Sequence, residues 1–416
     1  MTAIRDVTTH DIRFPLPGGS GTDAVHGDPE YSYAVTCLRT ADHVGHGSAF
    51  TLGNGNDVVV SLAQRLGDRL LAIAGTDIES MMARFGEVQR QLADDSQLRW
   101  LGPHKGAVHL ALASVTNATF DLWAKSRGVP LWRLLLDLDD LALVDLCDLS
   151  WIEDDLDRDA ALLLLERERP LRPARTAILD TGYPGYDTSV GWFDYPDELI
   201  ADNARRAVAA GFGAMKLKVG SRDLERDLRR VRIVREAAGS GVRVMVDANQ
   251  QWRWPMAMRA CAALAELGVY WIEEPTHPDD VLGHRRLREL VRSSGVRIAV
   301  GEHISHRVLF KNFIQAEAVD VVQVDALRVA GVSEFLAVSM LARRAGLEVV
   351  PHVGDMGQLH RHLVLWNHIA LGLPATMLEH IPHLGDRFVD PARVAGGVYH
   401  TPRLPGASLA LREVHG

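Results

Sequence analysis

Residues Val244–Trp252, which read VMVDANQQW, decide the fold, because a run of strand-like apolar residues delivers Asp247 to the end of a strand. Two more apolar runs with acidic ends follow, VYWIEEP with Glu273 and VRIAVGEH with Glu302. These acidic residues are 26 and 29 residues apart, the length of one strand, one helix and two loops in a parallel βα repeat. Neighbouring parallel strands should therefore bring the three carboxylates together.

Three carboxylates at one point predict a metal site. A hard divalent cation such as Mg²⁺ takes oxygen ligands and keeps positions open for water or substrate. One acidic residue at a strand end is more often the N-cap of the next helix. Three in register favour the ligand role instead, and Asp247, Glu273 and Glu302 are the predicted ligands.

The rest of residues 143–385 repeats this rhythm of apolar strands and amphipathic helices. A candidate first strand lies at Ala142–Leu149, and the Gly- and Tyr-rich stretch Tyr183–Tyr195 is predicted to be a loop. Further strands are predicted at Ala214–Val219, Val242–Val246, Val269–Ile272, Val296–Val300, Val319–Val324, Leu347–Val350 and Ala375–Leu378. Continuously apolar strands separated by helices indicate a parallel sheet covered on both faces, and about eight of them indicate a closed barrel.

Residues 1–142 predict a smaller α+β domain ahead of the barrel. Strands are expected at residues 4–16 and Tyr31–Thr40, separated by Gly18–Pro29, which is either a lid or an ordinary surface loop. Helices are predicted at Asp57–Ile73, Ile78–Leu92 and Lys105–Ser126. Residues 386–416 are expected to pack back on this first domain.

Composition excludes several classes of protein. The chain has 416 residues, 47% of them hydrophobic, and a net charge of −9, which argues against a general nucleic-acid or acidic-membrane binder. The sequence contains no run of about 18 apolar residues, so no membrane span is predicted. Cys37, Cys147 and Cys261 form no CxxC pair and are expected to be reduced, buried thiols. The first residues lack the apolar core of a secretion signal, so a cytoplasmic protein is expected. A homo-oligomer that acts on a small molecule is expected as well.

Lys216 and Lys218 are candidates for acid–base chemistry. They are two residues apart on one predicted strand, so both side chains point to the same face, at the barrel mouth. Two lysines at a strand end can simply extend to solvent. The neighbouring carboxylates favour a functional role instead. Side by side and beside a metal, each ammonium should disfavour the charge on the other and lower the lysine pKa toward neutrality, so that one can act as a base.

His352 and Asp325 form a second candidate pair. They follow strands that are one βα repeat apart, so Asp325 can hold the imidazole and raise its pKa, which suits a general acid or base facing the lysines. Five more histidines lie nearby, but their spacing fits no common zinc motif. They are His360, His362, His368, His380 and His383.

A base and an acid on opposite sides of a metal-bound substrate suit removal of the proton α to a carboxylate. If the β carbon carries a hydroxyl, an acid such as His352 lets it leave as water. With no leaving group, reprotonation gives a racemase or epimerase. A barrel that keeps the scaffold without catalysis is the third alternative, and it is opposed by the complete set of acid, base and ligand residues.

These elements together resemble the enolase superfamily, in its mandelate racemase-like branch, where KxK, DxN, EEP, GE and a His–Asp pair occur in this order. The fuconate dehydratases of that branch are most similar. That similarity runs through DSQLRW at Asp95, DLWAK at Asp121, WIEEPT at Trp271 and PDDVLGH at Pro278. The resemblance implies an α/β fold, a modified TIM (β/α)7–8 barrel with an α+β N-terminal capping domain.

The resemblance also implies a role for each site residue. Mg²⁺ would be held by Asp247, Glu273 and Glu302. Lys218 would be the base, Lys216 its electrostatic partner, and His352 with Asp325 the acid, while Glu379 would bind the substrate carboxylate. Asn249 and Glu274 would support the metal ligands without binding the ion themselves. The implied activity is that of a Mg²⁺-dependent hydro-lyase that converts an aldonate to a 2-keto-3-deoxy acid, with L-fuconate the first candidate.

Two stretches depart from the fuconate dehydratases. Residues Asp355–His362 read DMGQLHRH, where those enzymes carry a more apolar, Gly-rich segment with a glutamate. His380 replaces an aromatic residue beside Glu379. Both stretches lie next to the proposed acid or the carboxylate site, so they predict a shifted choice of sugar acid.

Overall fold

An antiparallel three-stranded sheet forms the first part of the chain in the computed structural model, which describes residues 3–102 and 104–414. Its strands are β1 (Asp6–Pro15), β2 (Glu30–Arg39) and β3 (Val44–Leu52), in the order β1-β2-β3. Two of them were predicted. The third, VGHGSAFTL, contains two glycines that weaken its strand signal.

In the part of the chain that the structure describes, six helices follow the sheet between residues 56 and 145, ahead of three more that precede the first barrel strand. They are α1 (Asn56–Ala74), α2 (Ile78–Met82), α3 (Phe85–Ala93), α4 (Gly106–Ser126), α5 (Leu131–Asp137) and α6 (Asp140–Asp145). In α1 the buried residues Val59, Ala63, Leu66 and Leu70 recur at helical spacing and face the sheet. The predicted helix Ile78–Leu92 is divided, because the chain turns between α2 and α3.

Eight parallel strands form the larger unit. They are β4 (Tyr183–Gly191), β5 (Ala214–Lys218), β6 (Arg243–Asp247), β7 (Trp271–Glu273), β8 (Arg297–Val300), β9 (Val321–Val322), β10 (Glu348–Val349) and β11 (Leu378–His380). Each pairs with the next from β4 to β10, and β11 pairs with β4, which closes the barrel on that side. No ladder joins β10 to β11 among the described residues. The predicted modified (β/α) barrel is confirmed.

The helices of the barrel follow its strands in strict alternation from β4 to β11. They are α10 (Asp197–Ala209), α11 (Leu224–Ala238), α12 (Met256–Glu266), α13 (Val281–Val291), α14 (Arg307–Gln315), α15 (Val332–Arg344) and α16 (His360–Leu371). Three short helices precede β4, namely α7 (Arg158–Glu168), α8 (Arg172–Arg175) and α9 (Ile178–Thr181). Since every crossover is of this type, all eight strands end on the same side of the barrel.

The predicted first barrel strand is wrong. Ala142–Leu149 ends α6 and continues as turns, and the first barrel strand is β4, inside the stretch Tyr183–Tyr195 that was predicted to be a loop. The sequence YPGYDTSVG has turn composition, but pairing with β5, β11 and the C-terminal hairpin holds it extended. Tertiary pairing therefore overrides local preference here.

The C-terminal residues contact both units. Strands β12 (Val394–Ala395) and β13 (Val398–Tyr399) form a hairpin, and β13 pairs with β4 of the barrel. Further along, the amide of Ala407 donates to the Asp121 carboxylate in α4, 2.6 Å away. The segment thus joins the two units, while the predicted domain boundaries at residues 142 and 385 stay a prediction.

The first domain also reaches the mouth of the barrel. The Tyr33 hydroxyl donates to the Gly354 carbonyl, at 2.9 Å, and the Phe50 amide donates to the Leu327 carbonyl, at 3.3 Å. Gly354 and Leu327 belong to the loops after β10 and β9. The sheet therefore braces the loops that follow two neighbouring barrel strands.

No helix among the described residues is both long and apolar enough to cross a membrane. The three cysteines are free and buried, as expected. The homo-oligomeric state and the cytoplasmic location stay predictions.

Close packing of β3 against α4 gives a testable prediction. A Cβ at Gly47 would overlap the backbone of Ser114 and Ala118 in α4, so Gly47→Ala should lower the free energy of unfolding by about 1–3 kcal/mol. Gly213→Ala is the matched control, since a Cβ there meets nothing within 4 Å. Calorimetric Tm values measure both. Equal Tm values for the two variants would contradict this packing.

Candidate active site

Three carboxylates converge where β6, β7 and β8 end. Asp247 is the last residue of β6, Glu273 the last of β7, and Glu302 lies two residues beyond β8. One oxygen from each lies within 4.8 Å of the others, and all three residues are buried. The sequence predicted this meeting from spacing, and the parallel register Asp247↔Glu273 produces it.

The backbone beside these carboxylates is unusual. Asn249, Gln250 and Glu274 have φ values of 43°, 61° and 43°, in the left-handed region that non-glycine residues seldom adopt. The Asn249 amide donates to the Asp247 carboxylate at 2.9 Å, so this turn orients a proposed ligand. Strained backbone of this kind often occurs at functional sites, and here it lies directly beside the cluster.

The two lysines of β5 contact the carboxylates directly. Lys218 Nζ lies 2.6 Å from Asp247 Oδ2. Lys216 Nζ lies 2.8 Å from both Glu273 Oε1 and Glu379 Oε1. Both lysines are buried, and Lys218 lines the open cavity.

The charge on these lysines differs from the expectation. Burial lowers the pKa of Lys218, but the carboxylates of Asp247, Glu302 and Asp23 together outweigh it, and the pKa of Lys218 lies above its usual value. The pKa of Lys216 is likewise raised, because Glu273 and Glu379 outweigh burial. The predicted lowering considered only the repulsion between the lysines and omitted their carboxylate partners. A divalent cation would offset the same negative charges.

Crowding of the carboxylates indicates that the cluster suits a cation. Burial and the charges of Asp247 and Glu379 outweigh Lys216 and raise the pKa of Glu273 to about 8. Three oxygen donors at this separation are the set that Mg²⁺ prefers, with room left for exogenous ligands. Asp247, Glu273 and Glu302 therefore fit the predicted ion.

His352 and Asp325 meet across the loops after β10 and β9. His352 Nδ1 lies 2.6 Å from Asp325 Oδ2, and Nε2 lies 3.2 Å from Glu302 Oε2. Burial opposes the charge on the imidazole, yet Glu302 and Asp325 raise the pKa of His352 to about 9. The ring is thus a cation near neutral pH, as a general acid requires.

Glu379 closes the site from β11. Its carboxylate accepts from the Thr188 hydroxyl at 2.6 Å and from the Val353 amide at 3.3 Å, in addition to Lys216. Lys216 and His352 lower its pKa against the effect of burial. The residue lines the cavity as an anion already paired with Lys216, so an approaching carboxylate would need a cation between them.

Supporting residues that the sequence did not reveal surround Glu302. His303 Nδ1 lies 3.1 Å from both Glu302 and Glu274, which outweigh burial and raise the pKa of His303 to about 10. The Gln250 amide also donates to Glu274. Trp271 Nε1 donates to Glu273 at 3.2 Å. The one feature of the sequence that could have pointed to His303 is its place directly after the GE of residues 301–302. Glu274 was expected to support the ligands, and it contacts His303 beside them.

A cavity of about 330 Å³ opens onto these groups. Residues from the first domain cover it, including Asp23 and His26 of the Gly18–Pro29 loop. That loop is tied to the barrel by the Phe193 amide, which donates to the Thr22 carbonyl at 3.0 Å. In this structure the loop therefore lies over the site, while its opening stays a prediction.

A larger cavity, about 570 Å³, lies away from these residues. Residues 179–182 and 390–404 supply most of its lining, together with Arg361. It contains neither the carboxylate cluster nor the lysines. The smaller cavity is the candidate active site, because the convergent titratable groups are there.

Comparisons with known proteins agree with this geometry. The family model described as Enolase C-terminal domain-like matches residues 199–414. L-galactonate dehydratase from Hypocrea jecorina is 37% identical over 97% of this chain and 91% of its own length.

Two solved structures are similar over nearly the whole chain. The crystal structure of human mitochondrial enolase superfamily member 1 superposes with a TM-score of 0.95 at 38% identity, covering 99% of this chain and 95% of that one. L-talarate dehydratase from Polaromonas sp. JS666, complexed with Mg and L-glucarate, gives a TM-score of 0.71 at 26% identity, covering 98% and 95%.

Removal of one proposed ligand tests the metal site. Asp247→Asn should weaken Mg²⁺ binding at least about tenfold in titration calorimetry, because it replaces an anionic oxygen at the centre of the cluster. Glu348→Gln is the control, since that carboxylate lies at the opposite end of the barrel and pairs with Arg297. Unchanged Mg²⁺ affinity in Asp247→Asn would exclude this cluster as the site.

Proposed function

Because the chain belongs to the enolase superfamily, we propose that it is a Mg²⁺-dependent dehydratase of aldonic acids that forms a 2-keto-3-deoxy acid. One observation carries this proposal. Lys218 contacts Asp247 and His352 contacts Glu302, so a base and an acid flank the carboxylate cluster with a cavity between them. Their strands, β5 and β10, are not neighbours, because β6–β9 separate them on one side of the barrel and β4 and β11 on the other.

The family supports both the cofactor and the reaction class. A relative is named as a sugar-acid dehydratase, and a structural neighbour holds Mg with a sugar acid. At the level of the family, the predicted hydro-lyase class and the predicted Mg²⁺ are confirmed. When bound by Asp247, Glu273 and Glu302, the ion supplies a Lewis acid for the charge that develops on the substrate carboxylate.

The side chains of the site divide the proton transfers. Lys218 takes the proton from the carbon α to the carboxylate, as the free amine that it would become once a cation on Asp247 offset the negative charge that raises its pKa. The imidazolium of His352 gives its Nε2 proton to the β-hydroxyl, the C–O bond breaks, and water leaves. The resulting enol becomes the 2-keto acid. Asp325 holds Nδ1 of His352, so the proton that moves is the one on Nε2.

Lys216 and Glu379 hold this arrangement in place. Lys216 contacts both Glu273 and Glu379, so it holds a proposed metal ligand next to a residue that lines the cavity. We propose that Lys216 offsets negative charge next to the base, while Glu379 and Thr188 contact the substrate end nearest β4 and β11. Asn249 and Glu274 support the ligands from their left-handed turns.

L-Fuconate is the first candidate substrate. It is 6-deoxy-L-galactonate, so it differs only at carbon 6 from L-galactonate, whose dehydratase is a relative at 37% identity. The carbons at which the proposed chemistry occurs are the same in both acids. Apolar Ile381 and Leu52 line the cavity together with polar His26, so the two acids form the decisive pair in a substrate panel.

The substrate panel tests the dehydratase proposal. With Mg²⁺, the protein should form 2-keto acid from L-fuconate or L-galactonate faster than from other aldonates, as measured with a carbonyl reagent. Absence of keto acid from every aldonate would refute the proposal. Exchange of the α-hydrogen with solvent deuterium, without keto acid, would instead favour the alternative of a sugar-acid epimerase or racemase, which a Lys–His pair on opposite faces also suits.

Two substitutions separate the base from the acid. Lys218→Ala should abolish both α-hydrogen exchange and keto-acid formation, whereas His352→Asn should abolish keto acid while exchange persists. NMR of the substrate in D₂O measures both rates. Both variants should keep Mg²⁺ binding, since neither removes a proposed ligand. Lys311→Ala, which removes a lysine paired with Asp154 outside the site, is the control. A near-normal dehydration rate in either site variant would refute its assigned role.

A further inference from the structure

A second buried imidazole–carboxylate pair lies directly behind His352 and Asp325. His360 Nδ1 lies 2.7 Å from Asp355 Oδ1, and His360 Nε2 lies 3.4 Å from Asp325 Oδ1. All three of these side chains are inaccessible to solvent. Asp355 and His360 therefore extend the acid pair inward, away from the cavity, and neither lines that cavity.

The hydrogen bonds assign the tautomer of His360. The Ala326 amide donates to His360 Nε2 at 2.9 Å, which occupies the lone pair of that nitrogen. The proton must then be on Nδ1, which donates to Asp355. Although the flanking carboxylates raise the pKa of His360 against burial, the Ala326 bond fixes the neutral ring in this arrangement.

Asp355 organises the loop that carries His352. Its carboxylate accepts from the backbone amides of Gly357, Leu359 and His360, as well as from the imidazole. Among the described residues, no lysine or arginine forms an ion pair with Asp355, and its contact with the neutral imidazole of His360 is a hydrogen bond. A buried carboxylate without Lys or Arg is costly unless N–H donors surround it, and here they all come from one loop and its following helix.

Asp355 and His360 consequently connect the loop that carries His352 to the turn that carries Asp325. Asp355 lies three residues after His352, and His360 is bonded to the amide that directly follows Asp325. A separate hydrogen bond joins the same two loops, since the Gly354 amide donates to Asp325 Oδ2 at 3.0 Å. The position of Asp325 relative to His352 thus depends on the bridge from Asp355 through His360 to Ala326, together with the direct contacts that His352 and Gly354 make with Asp325.

We propose that His360 and Asp355 are positioning residues for proton delivery by His352, because they hold the Asp325 turn against the loop of residues 352–355. They act through Asp325 and Ala326 and do not touch the substrate. The proposal rests on the dehydratase function given above. It goes beyond that function by assigning a catalytic consequence to two of the residues that depart from the fuconate dehydratase pattern.

Two substitutions of the same imidazole test the bridge. The amide of Asn reaches the position of Nδ1, so His360→Asn keeps the Asp355 contact and loses the acceptor for Ala326. The amide of Gln reaches the position of Nε2, so His360→Gln keeps the acceptor and loses only the side-chain bond to Asp355, while the backbone amide of residue 360 still donates to Asp355 and keeps the bridge connected. Dehydration should fall about 10–100-fold in His360→Asn, while α-hydrogen exchange by Lys218 and KM stay within about twofold. His360→Gln should recover most of the dehydration rate.

A buried pair elsewhere is the control for stability. His109 Nε2 lies 2.8 Å from Glu334 Oε2, both residues being buried, so His109→Asn disrupts a similar pair outside the active site. It should lower Tm comparably without changing the ratio of exchange to dehydration. If His360→Asn lowers both rates equally, or neither, the positioning role is refuted. If His360→Asn fails to fold, a dehydration rate in His360→Gln as low as in His352→Asn refutes it.

A spectroscopic measurement keeps this inference separate from the proposed function. In the wild-type protein, the Nδ1 protons of His352 and His360 should each give a low-field ¹H resonance, and His352→Asn identifies the first. The His352 resonance should shift or vanish in His360→Asn and persist in His360→Gln and His109→Asn. If the wild-type protein dehydrates no aldonate, the proposed dehydratase function is refuted, but the NMR measurement still tests whether His360 positions His352. An unchanged resonance in His360→Asn would overturn it.

Discussion

The buried ammonium of Lys216 is the contact on which the rest of the site depends. It lies 2.8 Å from Glu273 and 2.8 Å from Glu379, which belong to β7 and β11, and it is almost inaccessible to solvent. Losing this lysine would leave two buried carboxylates without their cation, which costs several kcal/mol. Three strands of the barrel, β5, β7 and β11, are therefore fixed relative to one another by one side chain, and the open cavity lies over it.

Parallel topology explains how much of this arrangement the sequence predicted. Apolar runs that end on acidic residues at intervals of one βα repeat require the carboxyl ends of neighbouring strands to meet, which is where Asp247 and Glu273 lie. Strand β4 escaped prediction because YPGYDTSVG has the composition of a turn, and its extended form comes from neighbours on both sides. Local sequence cannot report pairing that long-range contacts impose.

The contacts that the charged side chains make at the site could not be predicted from sequence spacing either. The sequence places Lys216 and Lys218 side by side, but it does not show that each lysine meets a carboxylate at 2.6–2.8 Å. Those contacts reverse the expected direction of the lysine pKa. His303 and Trp271 were missed for the same reason, since their contacts with Glu302 and Glu273 depend on side-chain direction after the strand ends.

Burial also changes the meaning of the histidines that follow β10. From sequence, His360 belonged to a set whose spacing fits no zinc motif, and its neighbour Asp355 was only a departure from related enzymes. In the fold, both are enclosed and joined to the turn of Asp325. A neutral imidazole bonded at both nitrogens has one orientation available, because rotating the ring would leave two buried groups unpaired. That rigidity is transmitted through the Ala326 amide to the neighbouring Asp325, whose Oδ2 holds His352.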